Sequence, residues 1–103
     1  MAVVEVSIVP IGTGNPSLSP YVARVLAVLK ESSLSHELTA MGTIISGDLD
    51  EILKVIRRMH ESCFDTEVAR VLTQIKIDDR RDRVGSPEQK VRSVLDKLAP
   101  KAN

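Results

Sequence analysis

A run of consecutive charged residues that begins at Asp78 forms the densest group of chemically capable side chains in this 103-residue sequence. Asp78, Asp79 and Asp82 are carboxylates, and Arg80 and Arg81 lie between them. Carboxylates bind hard cations such as Mg²⁺, whereas guanidinium groups bind carboxylates and other anions. Because both signs are interleaved, we expect internal ion pairing in preference to a magnesium site. The spacing leaves three roles open: Asp78 binds a polar ligand, Arg80 and Arg81 bind an anion or a second subunit, or the cluster lies in solvent.

One pair of residues has the elements of nucleophilic catalysis. His60 precedes Cys63 by three residues, and the two have the residue types of a general base and a thiol nucleophile. The sequence supplies no oxyanion hole and no orienting acid, so we expect Cys63 to pack in the core and predict no catalytic residue. His36 and His60 have no metal-ligand partner at helical spacing, so we predict no metal site and no cofactor.

Two short segments have the composition of ligand-binding loops. Residues 12–17 (GTGNPS) lack the spacing of a dinucleotide fingerprint and the lysine of a P-loop, which favours a plain turn. The hydroxyls of Ser17 and Ser19 could still donate to a small ligand, although Ser19 before Pro20 is also typical of a helix N-cap.

The second segment is Met41-Gly42-Thr43. It either lines a pocket with a soft side chain and a hydroxyl or only turns the chain between two strands. The sequence favours neither alternative.

The elements that position these residues follow from the spacing of apolar side chains and from the turn residues. Strands are predicted at Val3–Ile11, Ser35–Ala40, Thr43–Ser46 and about Val68–Asp78. Helices are predicted from Ser19 to Ser32 or Ser33, from an Asp48 cap to about Cys63, and from a Ser86 cap and Pro87 to Pro100. The order β-α-β-β-α-β plus a C-terminal helix predicts a single α+β domain over residues 1–103, a ferredoxin-like sandwich with a four-stranded antiparallel sheet.

The pattern also predicts which faces are buried. On the first helix the buried stripe is Val22, Val25, Leu26 and Leu29. On the second helix the inward residues are Leu49, Ile52, Leu53 and Ile56, continued by Met59 or His60 and by Cys63. On the fourth strand the buried face is Val71, Thr73, Ile75 and Ile77. The opposite face of the sheet is mixed, and we expect the third helix, another subunit or both to cover it.

Composition disfavours nucleic acid as a partner. Fourteen basic and fourteen acidic residues give a formal net charge of zero, whereas a protein that binds phosphate backbones normally has an excess of Lys and Arg. Tyr21 and Phe64 are the only aromatic residues, so no platform for stacking bases is expected. We therefore expect no nucleic-acid partner.

The sequence also carries signals of location. Cys63 is the only cysteine, so no intrachain disulfide can form. We find no signal peptide at the N-terminus and no apolar run of about 18 residues, the length that a membrane helix needs. We expect a cytoplasmic protein with no membrane partner.

An ordered series of motifs resembles a known family. The series runs IVPIGTG, SLSPYVA, MGT, GDLDE, MHE, KIDDRRD and KVRSV, and it covers nearly the whole chain. The KIDDRRD run at residues 76–82 is its most distinctive part. Together these motifs resemble the short thiamine-binding proteins, the single-domain relatives of the two-repeat YkoF-type proteins.

The resemblance implies a ferredoxin-like fold, a homodimer or homotetramer built partly across the sheets, and no known catalysis. It also implies binding of thiamine or its hydroxymethylpyrimidine part. The residues compatible with such a ligand are Ser17, Ser19, Met41, Gly42, Thr43 and Asp78.

The leading hypothesis is therefore a non-enzymatic protein that binds thiamine or a related pyrimidine as a homo-oligomer. The alternative is a structural or anion-regulated homo-oligomer in which Arg80 and Arg81 bind an anion or a neighbouring subunit. An enzyme is the least favoured class.

Overall fold

The computed structural model describes residues 1–82 and 87–98 and has the predicted order of elements. The elements are β1 (Ala2–Pro10), α1 (Ser19–Glu31), β2 (Ser35–Thr39), β3 (Gly42–Gly47), α2 (Leu49–Ser62), β4 (Val71–Asp79) and α3 (Pro87–Leu98). The strands form an antiparallel sheet in the order β2-β3-β1-β4. This arrangement confirms the α+β ferredoxin-like fold. The predicted start and stop of α3, Ser86 and Pro100, lie outside the described residues. The end of the predicted loop before Ser86 and the C-terminal tail also lie outside them.

The core lies between one face of the sheet and the helices α1 and α2. Val4 and Ile45 from the central strands are fully buried, as are Leu29 from α1 and Ile52 and Met59 from α2. Burial of an aliphatic side chain of this size contributes about 1.5–3 kcal/mol. The two helices also pack against each other, which fixes α1 beside the sheet.

The start of α1 differs from the prediction. Leu18, not Ser19, is the N-cap, and its carbonyl oxygen accepts from the amides of Tyr21 and Val22, both at 3.0 Å. Pro20 occupies the second helical position and has no N–H, so one of the donors that a capping side chain would satisfy is missing. The stripe of α1 is also narrower than predicted, because Val25 and Leu29 are buried whereas Val22 is exposed.

The start of α2 agrees with the prediction. The carboxylate of Asp48 accepts from the Glu51 amide at 3.2 Å, the geometry of an N-cap. The inward face is rotated slightly, because Val55 is buried and Leu53 is exposed. The prediction did not include this rotation, because the rotation depends on how α2 crosses the sheet.

β4 is an edge strand, and this position changes the burial of its inner face. The register with β1 places Ile75 opposite Val6 and Ile77 opposite Val4, on the side of the sheet that faces the helices. Ile75 and Ile77 are nevertheless 44% and 45% exposed, so the predicted buried face is covered only towards Val71. The orientation was right, but the sequence did not indicate that the strand lies at an edge.

α3 does not cover the open face of the sheet, contrary to one of the expectations. The lysine of Lys90 contacts the Asp78 carboxylate at the end of β4. The apolar stripe of the helix consists of Val91, Val94, Leu95 and Leu98. Each of these side chains is at least 57% exposed. Within the described residues, no helix is both long and apolar enough to cross a membrane.

Candidate ligand-binding site

A cleft of about 310 Å³ opens between the first half of α1 and the β2–β3 hairpin. Val6, Val25 and Met59 form its buried floor. Leu38 and Met41 from the hairpin form its mouth, and they are 53% and 83% exposed. The volume is near the lower end of the range of about 300–1,000 Å³ that is typical of small-molecule sites.

Gly42 allows strands β1 and β3 to approach each other closely beneath this cleft. A Cβ atom at Gly42 would lie 2.8 Å from the carbonyl oxygen of Val6, closer than real Cβ atoms approach backbone. The residue is therefore glycine because β3 packs tightly against β1. Thr39 supports the adjoining turn, since its hydroxyl donates to the Gly42 carbonyl oxygen at 2.9 Å and accepts from the Met41 amide at 3.3 Å.

Thr43 supplies a polar group beside the buried apolar floor of the cleft. The residue is only 6% exposed and faces the helices, opposite Val6. In the described part of the chain its hydroxyl makes no hydrogen bond, and no fully buried side-chain polar atom lacks a partner. The hydroxyl therefore keeps some accessible surface, and because Thr43 lines the cleft, it is available to donate to a ligand there or to accept from one.

The lining of the cleft contains no charged side chain among the described residues. It offers apolar contacts, backbone groups and the hydroxyl-bearing side chains of Ser7, Thr39 and Thr43. Such a lining suits a neutral ring with hydrogen-bonding edges, because a buried charge would have no partner there. It offers no group for acid–base chemistry.

Of the six residues that the sequence associated with a ligand, three line this cleft and two more lie beside it. Met41, Gly42 and Thr43 line it. Ser17 and Ser19 flank Leu18, which also lines it, but neither serine does. The Ser17 amide donates to the Asn15 side chain at 2.9 Å, so the loop before α1 is held by its own polar groups.

Asp78 lies far from the cleft. Thr43 is opposite Val6 and Asp78 is opposite Val3, so about 10 Å of strand separates the two positions along the sheet. They also lie on opposite faces of the sheet, because Val3 and Val6 differ by an odd number of residues. Asp78 and Thr43 therefore cannot contact the same small molecule in one chain.

Asp78 instead borders a second, charged cleft of about 600 Å³ between α3 and the end of the sheet. Arg80 and Lys90 also line it. Arg80 pairs with Asp82, and Arg81 pairs with Asp79 at 2.9 Å, as the expected internal ion pairing requires. Hydrogen bonds from these two guanidinium groups to the carboxylates raise the pKa of Arg80 and of Arg81.

His60 and Cys63 do not form a catalytic pair. The His60 ring nitrogen Nδ1 lies 2.6 Å from the Thr73 hydroxyl, and the ring packs edge-on against Phe64. Cys63 is fully buried, and this burial raises the pKa of its thiol. A buried, protonated thiol is a poor nucleophile. No cluster of three or more potential metal ligands occurs within residues 1–82 and 87–98.

Several residues of the cleft were missed by sequence reasoning. Leu18, Leu26 and Leu38 line it, whereas Leu26 was predicted only as part of the buried stripe of the first helix and the other two were given no ligand role. The signal that could have identified them is the number of apolar residues in and around a short hairpin, which exceeds what one buried face of the hairpin needs.

Comparisons with known proteins place this chain among close relatives. Residues 4–95 match the family model described as "Thiamine-binding protein". The UPF0045 protein YqgV of Bacillus subtilis is 43% identical over 104 residues, which cover 97% of this chain and all of the relative. The UPF0045 protein MJ1052 of Methanocaldococcus jannaschii is 42% identical over 92 residues, 89% of this chain and 90% of the relative.

Solved structures have the same architecture. A crystal structure of MJ1052 matches with a TM-score of 0.82 at 41% identity, covering 90% of this chain and 94% of that one. The Thermotoga maritima protein TM0486, named for thiamine biosynthesis or salvage, matches with a TM-score of 0.75 over 90% of this chain and 97% of that one. At 18% identity, the latter likeness concerns the fold alone.

Proposed function

Because the chain belongs to the thiamine-binding protein family, we propose that it binds thiamine or a related pyrimidine in the cleft between α1 and the β2–β3 hairpin. It acts as a cytoplasmic homo-oligomer and catalyses no reaction. The small molecule is its partner, and nucleic acid and membrane are not.

The observation that carries this proposal is the Thr43 hydroxyl in an uncharged, apolar cleft. An aminopyrimidine is a flat ring with donors and acceptors at its edge, so it can exchange a hydrogen bond with Thr43 while its faces contact Leu26 and Met59. The positive thiazolium of thiamine has no carboxylate beside it in the cleft. It therefore projects through the mouth towards solvent, past Leu38 and Met41.

The experiment compares two ligands that differ in that charged half. Isothermal titration measures binding of thiamine and of hydroxymethylpyrimidine, and thermal unfolding checks each result. A ligand that binds only the folded state at about 100 times its Kd stabilises it by about 2.7 kcal/mol. Both ligands should bind, and the absence of heat and of a thermal shift with both of them would contradict the proposal.

A charge placed at the mouth tests the orientation of the ligand. Leu38→Lys puts a cation beside the thiazolium, so the affinity for thiamine should fall while the affinity for hydroxymethylpyrimidine stays unchanged. Ser35→Lys is the matched control, because it adds the same charge to the same strand on the opposite face. Equal losses for both ligands in Leu38→Lys would show that the thiazolium does not occupy the mouth.

Sulfate belongs in the same series, because it tests the alternative of an anion-regulated oligomer. The ion pairs of Arg80 with Asp82 and of Arg81 with Asp79 weaken that alternative, since each guanidinium already has an anionic partner. A thermal shift with sulfate and none with thiamine or the pyrimidine would favour it.

A further inference from the structure

Strand β1 runs past the end of β3 where it borders the cleft between α1 and the β2–β3 hairpin. The pairing of β1 with β3 ends at Val6, which lies opposite Thr43. In the same register Ile8 would meet Met41, but Met41 lies in the turn of the hairpin. β1 itself continues to Pro10. Its edge towards β3 is therefore open beyond Val6.

The pairing on the other side of β1 shows which backbone groups point towards this open edge. The Ile11 amide donates to the Arg70 carbonyl oxygen at 2.8 Å, which extends the pairing with β4 by one residue. Successive residues of a strand direct their backbone groups to opposite neighbours, so the odd-numbered residues of β1 point to β4 and the even-numbered ones to β3. The Val6 carbonyl oxygen agrees with this, since a Cβ atom on Gly42 of β3 would lie 2.8 Å from it. Ile8 therefore directs both its N–H and its C=O towards the open edge.

Both backbone groups of Ile8 are available to a ligand. Within residues 1–82 and 87–98, neither its N–H nor its carbonyl oxygen makes a hydrogen bond. Ile8 lines the cleft together with Val6, Ser7 and Val9. The side chains of these consecutive residues alternate between the two faces of the sheet, so what the four share is the edge of the strand. The cleft thus contains a backbone donor next to a backbone acceptor.

We propose that the Ile8 backbone recognises the edge of the pyrimidine. Its N–H donates to a ring nitrogen, and its carbonyl oxygen accepts from an amino group on the adjacent ring carbon. The class of ligand is then a planar heterocycle with an acceptor nitrogen next to an exocyclic amino group, and a 4-aminopyrimidine is one of them. The inference rests on the proposed function and adds the contact that selects the ligand.

A small ring suits this edge better than another strand does. The next residue of β1 that points the same way is Pro10, which has no N–H, so the edge offers one complete donor–acceptor pair. A strand needs several such pairs, whereas one ring needs a single pair and fits a cleft of about 310 Å³.

The same ring can contact Thr43. Thr43 lies opposite Val6, so about 7 Å of strand separates its position from Ile8. A six-membered ring with a hydrogen bond of about 2.9 Å on each side spans a comparable distance. The Ile8 backbone and the Thr43 hydroxyl can therefore bind opposite edges of one ligand.

Amide hydrogen exchange, followed for each residue by NMR, tests the contact with the Ile8 N–H. Hydroxymethylpyrimidine at about 100 times its Kd leaves only about 1% of the protein free, so the exchange of the Ile8 amide should slow by up to about 100-fold. The His36 amide is the matched control, because it points to the outer edge of β2 and does not line the cleft. Its exchange rate should stay the same.

A ligand analogue tests the contact with the Ile8 carbonyl oxygen. Hydrogen in place of the 4-amino group keeps the ring nitrogen and removes the donor, so isothermal titration should show an affinity about 2- to 12-fold lower. The two ligands should differ by the same factor in Thr43→Val, because the amino group does not bond to Thr43. A difference that disappears in Thr43→Val would assign the amino group to Thr43 and overturn this contact.

The outcomes separate this inference from the proposed function. Slower exchange of the Ile8 amide together with weaker binding of the analogue supports the inference. Unchanged Ile8 exchange, while titration shows that hydroxymethylpyrimidine binds, overturns the inference and leaves the proposed function intact. Equal affinities of the two ligands overturn the role of the carbonyl oxygen. Absence of binding by thiamine and by hydroxymethylpyrimidine contradicts the proposed function and removes the inference with it.

Discussion

At the scale of single residues, Thr43 is the group whose removal should affect binding most selectively. Thr43→Val keeps the shape of the side chain and deletes the hydroxyl, so the cleft stays intact. A hydrogen bond contributes about 0.5–1.5 kcal/mol net, so we expect the affinity for hydroxymethylpyrimidine to fall about 2- to 12-fold. Isothermal titration measures this loss.

The control for Thr43 is Thr73→Val. That hydroxyl bonds to His60 between α2 and β4 and does not line the cleft. It should lower the melting temperature without changing the affinity. An unchanged affinity in Thr43→Val would exclude the hydroxyl as a ligand contact.

Asp65 allows a prediction about pH. The amide of Glu67 donates to its carboxylate at 2.8 Å, and with the Val68 amide and the Arg24 guanidinium it lowers the Asp65 pKa below its usual value of 3.8. A carboxyl with a lowered pKa in the folded state stabilises the fold above the unfolded pKa, and this contribution is lost as the pH falls through the folded pKa.

Asp65→Asn should therefore melt below the unmodified protein at pH 7, and the two melting curves should converge as the pH falls below 3.8. Differential scanning calorimetry between pH 7 and pH 2 measures the difference. Glu37→Gln, an exposed carboxylate on β2, is the control for the general effect of a lost charge. A difference that persists unchanged to pH 2 would show that the charge of Asp65 does not stabilise the fold.

The residues of the candidate site were only partly predictable. Met41, Gly42 and Thr43 were predicted together as one segment between two strands, and all three line the cleft. Asp78 could be related to them only through the order and register of the strands. Alternation of apolar residues assigns a face within each strand but does not reveal how far two strands are offset.

At the scale of elements, local sequence patterns predicted the bounds of the helices correctly. Which faces are buried depends on neighbouring elements, and this was predicted less well. The Asp48 cap and the apolar periodicity of α1 and α2 are local, and they placed both helices within about two residues. Which side of α2 is buried depends on its crossing of the sheet, and so Leu53 was assigned to the core in place of Val55. Ile75 and Ile77 have the pattern of a buried face, but burial also requires a helix above that edge.

Gly42 provides the prediction at this scale. Gly42→Ala would place a Cβ atom 2.8 Å from the Val6 carbonyl oxygen, and that oxygen belongs to backbone that cannot rotate away. β3 must then move from β1, so we expect a loss of about 1–3 kcal/mol in the free energy of unfolding. Urea denaturation followed by far-UV circular dichroism measures it.

Ser35→Ala, at the other end of the same hairpin, is the control for Gly42 and should change the stability little. The affinity for the pyrimidine should fall in Gly42→Ala, since Thr43 moves with the strand. A stable Gly42→Ala variant would show that the approach of β3 to β1 is not essential.

At the scale of the whole molecule, two parts differ in how they are stabilised. The sheet with α1 and α2 encloses a continuous core of buried residues. α3 lies at the end of the sheet with its apolar stripe exposed, and Lys90 of this helix contacts the Asp78 carboxylate of β4. The radius of gyration of 16.4 Å exceeds the value of about 13 Å that is typical of a compact domain of 100 residues, which fits a projecting helix.

This division predicts unequal costs for equivalent substitutions. Leu29→Ala removes a fully buried side chain and should cost about 2–5 kcal/mol. Leu95→Ala removes a side chain that is 59% exposed, so in the monomer it should change the free energy of unfolding by less than about 0.5 kcal/mol.

Urea denaturation at several protein concentrations separates the monomer from any assembly. If another copy covers α3, Leu95→Ala will lose stability only as the concentration rises. A loss in Leu95→Ala as large as that in Leu29→Ala, at a concentration where sedimentation shows a monomer, would mean that α3 packs on its own chain.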